Sequence, residues 1–194
     1  MTIVLATHNP GKKAEIGELL APLGWEVKTL ADLNITEAPE ETGETFLENA
    51  RIKALAALNA TGLPALADDS GLCVAALDGA PGVHSAYFGG FDADTERNAH
   101  LLRVMDKTDN RAAYFVCVMA LCYPDGREIS VEGRLDGEIL REPRGENGFG
   151  YDPVFYLPEK GRSLAEMPRA EKSALSHRGI ALRALIDSLS KACQ

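Results

Sequence analysis

Two adjacent carboxylates, Asp68 and Asp69, stand where an apolar run over 63–67 meets Ser70 and Gly71. Neighbouring carboxylates repel each other and are costly to desolvate, so a pair at the end of a strand calls for a cation to offset it. Mg²⁺ chemistry is therefore the first expectation. Glu40 and Glu41 lie upstream in an acidic loop and could reach the same ion, although surface loops are commonly acidic in a chain of this charge.

Four further segments carry groups suited to an anionic, partly planar ligand. Thr7, His8, Asn9, Pro10, Gly11 and Lys12 place hydroxyl, amide and ammonium groups in a turn between a strand and a helix N-terminus. Backbone N–H groups and the helix dipole favour phosphate there, yet the spacing is not that of a Walker A loop. Asn49 and Lys53 fall one helical turn apart on one face, either facing a phosphate or simply solvated. The run Gly148, Phe149, Gly150, Tyr151, Asp152 sets an aromatic between two glycines. It suits a ring stacked on a base, with Asp152 accepting from a base N–H; the plainer reading is a tight turn with a core Phe. Lys172, His177 and Arg178 gather near the start of the last helix, whereas His84 and His100 stand alone and read as structural or solvated.

These groups must be positioned by a fold, and the chain is long enough to build one. Its 194 residues favour a single α/β domain over 1–194, and 45% apolar with 25% charged residues is the composition of a soluble globular protein. A net charge of −9 argues against a nonspecific binder of nucleic acid polymers or membrane surfaces. The N-terminal run lacks the pattern of a signal peptide and no stretch approaches a membrane span, which makes a cytoplasmic location the default. Cys73, Cys117, Cys122 and Cys193 are scattered without metal or redox spacing. Reduced thiols fit that compartment.

Hydrophobic periodicity predicts a strand over 3–6, a helix over 12–23, a strand over 25–30 and an acidic connection to residue 44. Thr45, with Glu48 three residues on, is an N-cap for a helix to about residue 59. The acidic pair is then read as a turn, followed by a loop-rich stretch and a helix over 94–105. Residues 111–123 are apolar on both alternating faces, as in a central strand covered on both sides. The turn Pro124-Asp125-Gly126 then leads into a return strand over 128–140. A glycine-rich loop over 144–150, a strand over 153–157 and a closing helix over 176–192 complete a mixed α/β layout.

Taken in order, THNPGK, EETGETFLENARIKA, ADDSGL, GAPGVHSA, GGFGYDPVF and EKSALSHRG resemble the inosine triphosphate pyrophosphatase family, the dITP/XTP pyrophosphatases. The resemblance covers nearly the whole chain. It implies an elongated α/β fold with a long twisted mixed sheet, flanking helices and two lobes around a central cleft. It also implies a homodimeric, Mg²⁺-dependent hydrolase that converts ITP, dITP and XTP to the monophosphate and pyrophosphate, clearing deaminated purines from the nucleotide pool.

Carried over residue by residue, the resemblance gives Thr7 to Lys12 the triphosphate and makes Asp69 both general base and Mg²⁺ ligand. Ser70 would contact substrate, Phe149, Gly150, Tyr151, Asp152, His177 and Arg178 would hold the base, and Lys172 would touch the nucleotide. The acidic metal partner falls on Glu41, with adjacent Glu40 as the alternative, and Asp68 is a further ligand or a partner behind one. His8 replaces the small residue often found in the first motif.

The residues suit that chemistry. Water attacks the α-phosphorus, pyrophosphate leaves, and Lys12, Lys53 and Lys172 would offset the developing charge while Asp69 takes the water's proton. Donors near His177 and Arg178 that face a C6 oxo group would oppose the amino group of adenine. Two other readings stand beside this one: a related pyrophosphatase for canonical or modified pyrimidine triphosphates, and a nucleotide-binding sensor without turnover.

Overall fold

The structure, a computed structural model, describes residues 2–7, 16–17, 20 and 24–192. Its strands are β1 (Thr2–Leu5), β2 (Glu26–Thr29), β3 (Ala65–Val74), β4 (Ala112–Cys122), β5 (Glu128–Ile139), β6 (Phe155–Leu157) and β7 (Arg162–Ser163). They form one mixed sheet in the order β2-β1-β3-β4-β5-β6-β7. β1 runs parallel to both neighbours, with Val4 opposite Lys28 and Ala65, whereas β6 is antiparallel to β5 and β7. The α-helices among the described residues that carry the argument are α1 (Phe46–Thr61), α2 (Asp94–Val104), α3 (Arg169–Leu175) and α4 (His177–Ala192). Of the helix expected over 12–23, Ile16, Gly17 and Leu20 are helical and the remainder lies outside the described residues.

The chain divides into two compact units. The first comprises Met1–Asp69, Cys117–Gly133 and His177–Gln194, the second Ser70–Val116 and Arg134–Ser176. In the first, strand alternation sorts side chains to two faces. Ile3, Leu5, Leu66, Cys117, Met119 and Leu121 pack with Ala181, Leu182 and Leu185 of α4. Val4, Ala6, Ala65, Ala67 and Ala120 pack with Ala50, Ala54 and Ala57 of α1. β4 is thus covered on both sides there, as its unbroken apolar sequence requires. The second unit has its own core, in which Leu72, Leu101, Met105, Tyr151 and Val154 surround Phe115 and Phe155, whose ring centroids lie 4.5 Å apart.

Two expectations are corrected. The strand expected to stop at the acidic pair runs through Asp68 and Asp69 to Val74, because each carboxylate meets a cation on its own face of the strand and needs no turn to reach water. Lys172, read as part of the start of the last helix, sits instead in the separate helix α3. Ser176 breaks the two apart with an extended backbone at ψ 154°, its N–H still bonded to Lys172 O at 2.8 Å. Among the described residues, no helix is long and apolar enough to cross a membrane.

Candidate active site

In the first unit, α1 brings its polar residues to β3. The helix starts with a capping box: Glu48 N–H donates to Thr45 Oγ1 at 3.2 Å, and Thr45 N–H to Glu48 Oε2 at 3.0 Å. Glu44 N–H adds a further bond to the same carboxylate, the largest of the effects that hold the Glu48 carboxyl below its ordinary value. The buried face of α1 is alanine, Ala50, Ala54 and Ala57, so its backbone approaches the sheet closely enough for a short amide to reach a strand carboxylate. Asn49 Nδ2 donates to Asp69 Oδ2 at 3.4 Å, and Lys53 Nζ to Asp69 Oδ1 at 2.9 Å.

Lys53 also donates to Glu41 Oε2 at 2.8 Å, so one ammonium ties the acidic loop to the strand. Burial on its own would lower the Lys53 pKa, but Asp69, Asp68 and Glu41 outweigh it and hold the ammonium above the ordinary lysine value. The loop is placed by Gly43, whose N–H donates to Asn49 Oδ1 at 2.8 Å. A Cβ there would lie 2.6 Å from that oxygen and from Glu48 Cβ, which only glycine avoids.

Asp68 points to the opposite face of β3 from Asp69. Its Oδ2 lies 3.5 Å from Arg178 Nε and 3.8 Å from Cys117 Sγ, with the Asp68 and Arg178 side chains almost fully buried. Arg178 and the buried His177 open α4, whose first turn crosses β5 at Gly133. A Cβ on Gly133 would stand 2.1 Å from His177 O, so glycine is what lets this turn reach the sheet.

In the second unit, the loop bearing Phe149 is held from several sides. Phe149 N–H donates to Asp152 Oδ2 at 2.8 Å, and the same oxygen pairs with Lys172 Nζ at 2.7 Å, both side chains being buried. Lys172 Nζ also lies 4.5 Å from the Phe149 ring centroid, a cation–π contact. Gly150 N–H donates to Asp94 Oδ2 at 2.6 Å and Gly150 O accepts from Asn98 Nδ2 at 3.0 Å. Tyr151 is buried, donates to Ser85 O at 2.9 Å, and has its phenol pKa pushed up by burial to about 12.

Gly148 has φ +78°, and a Cβ on it would lie 2.0 Å from Asp152 Oδ2. Gly148→Ala is therefore expected to cost about 1–3 kcal/mol of stability. A lowered denaturant midpoint at unchanged m-value checks this.

Of the remaining expected residues, Thr7 is half-buried just after β1, with its N–H bonded to Leu5 O at 3.0 Å. Ser70 is half-buried within β3, and Glu40 is exposed beside Glu41. His8, Asn9, Pro10, Gly11 and Lys12 lie outside the described residues, as does Cys193. Sequence reading did not single out Gly43, Gly133, Asp94 or Asn98; the first two carry a signal, a lone glycine beside a helix start or within a strand.

For a divalent cation, no group of three or more His, Cys, Asp or Glu side chains converges among the described residues. Two carboxylates do converge, Asp69 and Glu41, on the shared Lys53 ammonium. Hard carboxylate oxygens, one or two per ion with phosphates supplying the rest, are the donor set Mg²⁺ accepts. Asp68 is directed to Arg178 rather than to that pair.

A model of the Ham1 family matches residues 3–188 of the chain. A dITP/XTP pyrophosphatase of Thermus thermophilus is 57% identical over 190 residues, covering 97% of this chain and 91% of that protein. A HAM1 protein from Coxiella burnetii superposes with a TM-score of 0.91 at 46% identity, covering 98% of this chain and 99% of the other. The Ham1 protein of Staphylococcus aureus gives 0.90 at 37% identity, over 99% and 100% of the two chains.

Proposed function

The chain belongs to the Ham1 family, and from that premise we propose that it is a nucleoside-triphosphate pyrophosphatase that hydrolyses non-canonical purine triphosphates, ITP, dITP and XTP, to the monophosphate and pyrophosphate. The observation that carries the proposal is the Lys53 ammonium held between Asp69 and Glu41 with Asn49 alongside. A half-buried cation between a strand carboxylate and a loop carboxylate is a site prepared for phosphate charge.

Asp69 takes the proton of the attacking water as its oxygen bonds to the α-phosphorus and the bond to the bridging oxygen of pyrophosphate breaks. Lys53, and Lys12 of the first motif, meet the charge that develops on the phosphoryl oxygens. Asp69 and Glu41 would hold Mg²⁺, which when bound neutralises phosphate charge and makes a bound water more acidic. Thr7 to Gly11 and Ser70 contact the triphosphate, while Phe149 to Asp152 and Lys172 receive the base together with His177 and Arg178. The proposal includes a homodimer in the cytoplasm.

Base selection follows from donors. An oxo group at C6 accepts where an adenine amino group would set one donor against another, and each buried polar group left unpaired costs about 1–3 kcal/mol. Pyrophosphate release measured with Mg²⁺ is therefore expected from ITP, dITP and XTP, with kcat/KM for ATP lower by about tenfold or more. GTP is also expected to turn over far more slowly, and EDTA to abolish the reaction. Orthophosphate as the primary product, or equal turnover of ATP, would overturn the proposal.

A further inference from the structure

Gly150 follows the proposed base platform Phe149 directly, and both its backbone groups are held from outside the loop by one helix. Asp94 and Asn98 stand four residues apart on the first turns of α2, so they share a face. Asp94 accepts from Gly150 N–H at 2.6 Å and Asn98 donates to Gly150 O at 3.0 Å.

Asp94 serves its own helix in part, as a first-turn acid paired with Arg97 three residues on. The N-cap of α2 is Ala93, with no side-chain capping bond, so Asp94 at the next position aims its carboxylate elsewhere. Its other oxygen pairs with Arg97, which in turn donates to Phe91 O at 3.0 Å and Asp92 O at 2.6 Å and so ties down the chain entering the helix. Asn98 is buried, and its Oδ1 has no hydrogen-bond partner among the described residues. A buried, unpaired acceptor works against stability. The bond that Asn98 does make reaches out of α2, from its amide N–H to Gly150 O.

Inside the loop, Asp152 holds Phe149 at both backbone groups, its Oδ2 accepting from Phe149 N–H at 2.8 Å and its N–H donating to Phe149 O at 3.3 Å. The next link of the chain, Gly150, is held from outside the loop by Asp94 and Asn98. Gly150 has φ +62°, a conformation that glycine adopts without strain, and its bonds to Asp94 and Asn98 select it among those open to glycine.

We infer that Asp94 and Asn98 are positioning residues that set the orientation of the Phe149 ring, and through it the binding of the purine base. This rests on the proposed reading of Phe149 as the base platform. Steady-state pyrophosphate release from ITP in the full-length enzyme tests it.

Asp94→Ala and Asn98→Ala are each expected to raise KM by about tenfold with kcat within twofold, the pattern of lost uniform binding. Asp94→Asn, which keeps an acceptor for Gly150 N–H, is expected to recover most of the loss. In a Phe149→Ala background, where no ring remains to be oriented, neither substitution is expected to raise KM further. Asp94 is well exposed at its side chain, so Asp94→Ala decides the matter alone if Asn98→Ala does not fold. An unchanged KM, a fall in kcat alone, or an equal KM rise in the Phe149→Ala background would overturn the inference. If Phe149→Ala itself leaves KM for ITP unchanged, the platform reading fails instead.

Discussion

Asp69→Asn is expected to retain nucleotide binding and to lose about 10²–10⁴-fold in kcat, the usual contribution of a general base. The substitution is nearly isosteric, so its carbonyl oxygen can still accept from Lys53, now 2.9 Å from Asp69 Oδ1. Lys53 also keeps Glu41 at 2.8 Å, so its ammonium stays charged and in place for the triphosphate. What disappears is the proton acceptor, together with one negative charge that would hold Mg²⁺, while the amide oxygen and Glu41 remain as metal donors. Calorimetry with ITP at a concentration of variant that turns over slowly reads the binding, and pyrophosphate release reads the chemistry. Full activity would remove Asp69 from the reaction. Lost binding together with lost activity would instead make it a binding group. A sensor without turnover would give the parent protein no hydrolysis to lose.

Elements with dense local signals were legible in the sequence. The α1 start needs only Thr45 and Glu48, and both halves of that capping box are present. β4 was readable as a central strand because both its faces are apolar, and the hairpin after it because Pro124-Asp125-Gly126 leaves few alternatives. The continuation of β3 through Asp68 and Asp69 was not legible. Two adjacent charges look like a strand end until the partners on each face are known, and Lys53 and Arg178 lie 16 and 110 residues away in sequence. The closing helix was read to start at Ser176, one residue before α4 begins, whereas the short helix α3 ahead of it was not legible.

The candidate site divides in the same way. Residue type and position point to Asp69, whereas Lys53 and Phe149 each had a plain reading, a solvated side chain and a core ring, beside the functional one. What aims them does not announce itself. Asp94 and Asn98 meet Gly150 across 56 and 52 residues of chain, separations that carry no local periodicity. Gly43 and Gly133 act by lacking a side chain, and only the helix that fills the space gives that absence a meaning. Asp152, read as an acceptor for a base N–H, accepts from the Phe149 backbone and from Lys172. Its visible work is to hold two groups proposed to touch the nucleotide.

Arg178→Met is expected to destabilise the protein by about 3–5 kcal/mol, since it strands the Asp68 carboxylate in the interior. The two side chains are only 2% and 1% exposed, at 3.5 Å, so neither charge has water to fall back on. For a chain of this length that loss corresponds to a Tm lower by roughly 10 °C, which scanning calorimetry reads. Removing both charges separates structure from binding. The double variant Asp68→Leu with Arg178→Met replaces a buried pair by apolar side chains, and such exchanges are often neutral or better. It is therefore expected to regain most of the lost Tm. Stability restored without restored affinity for ITP would leave Arg178 acting on the base, as proposed. Affinity restored together with stability would reduce Arg178 to a counter-ion for Asp68. A double variant as unstable as Arg178→Met would mean that the buried Asp68 charge is not the source of the loss, and that the guanidinium holds α4 on the sheet by other contacts.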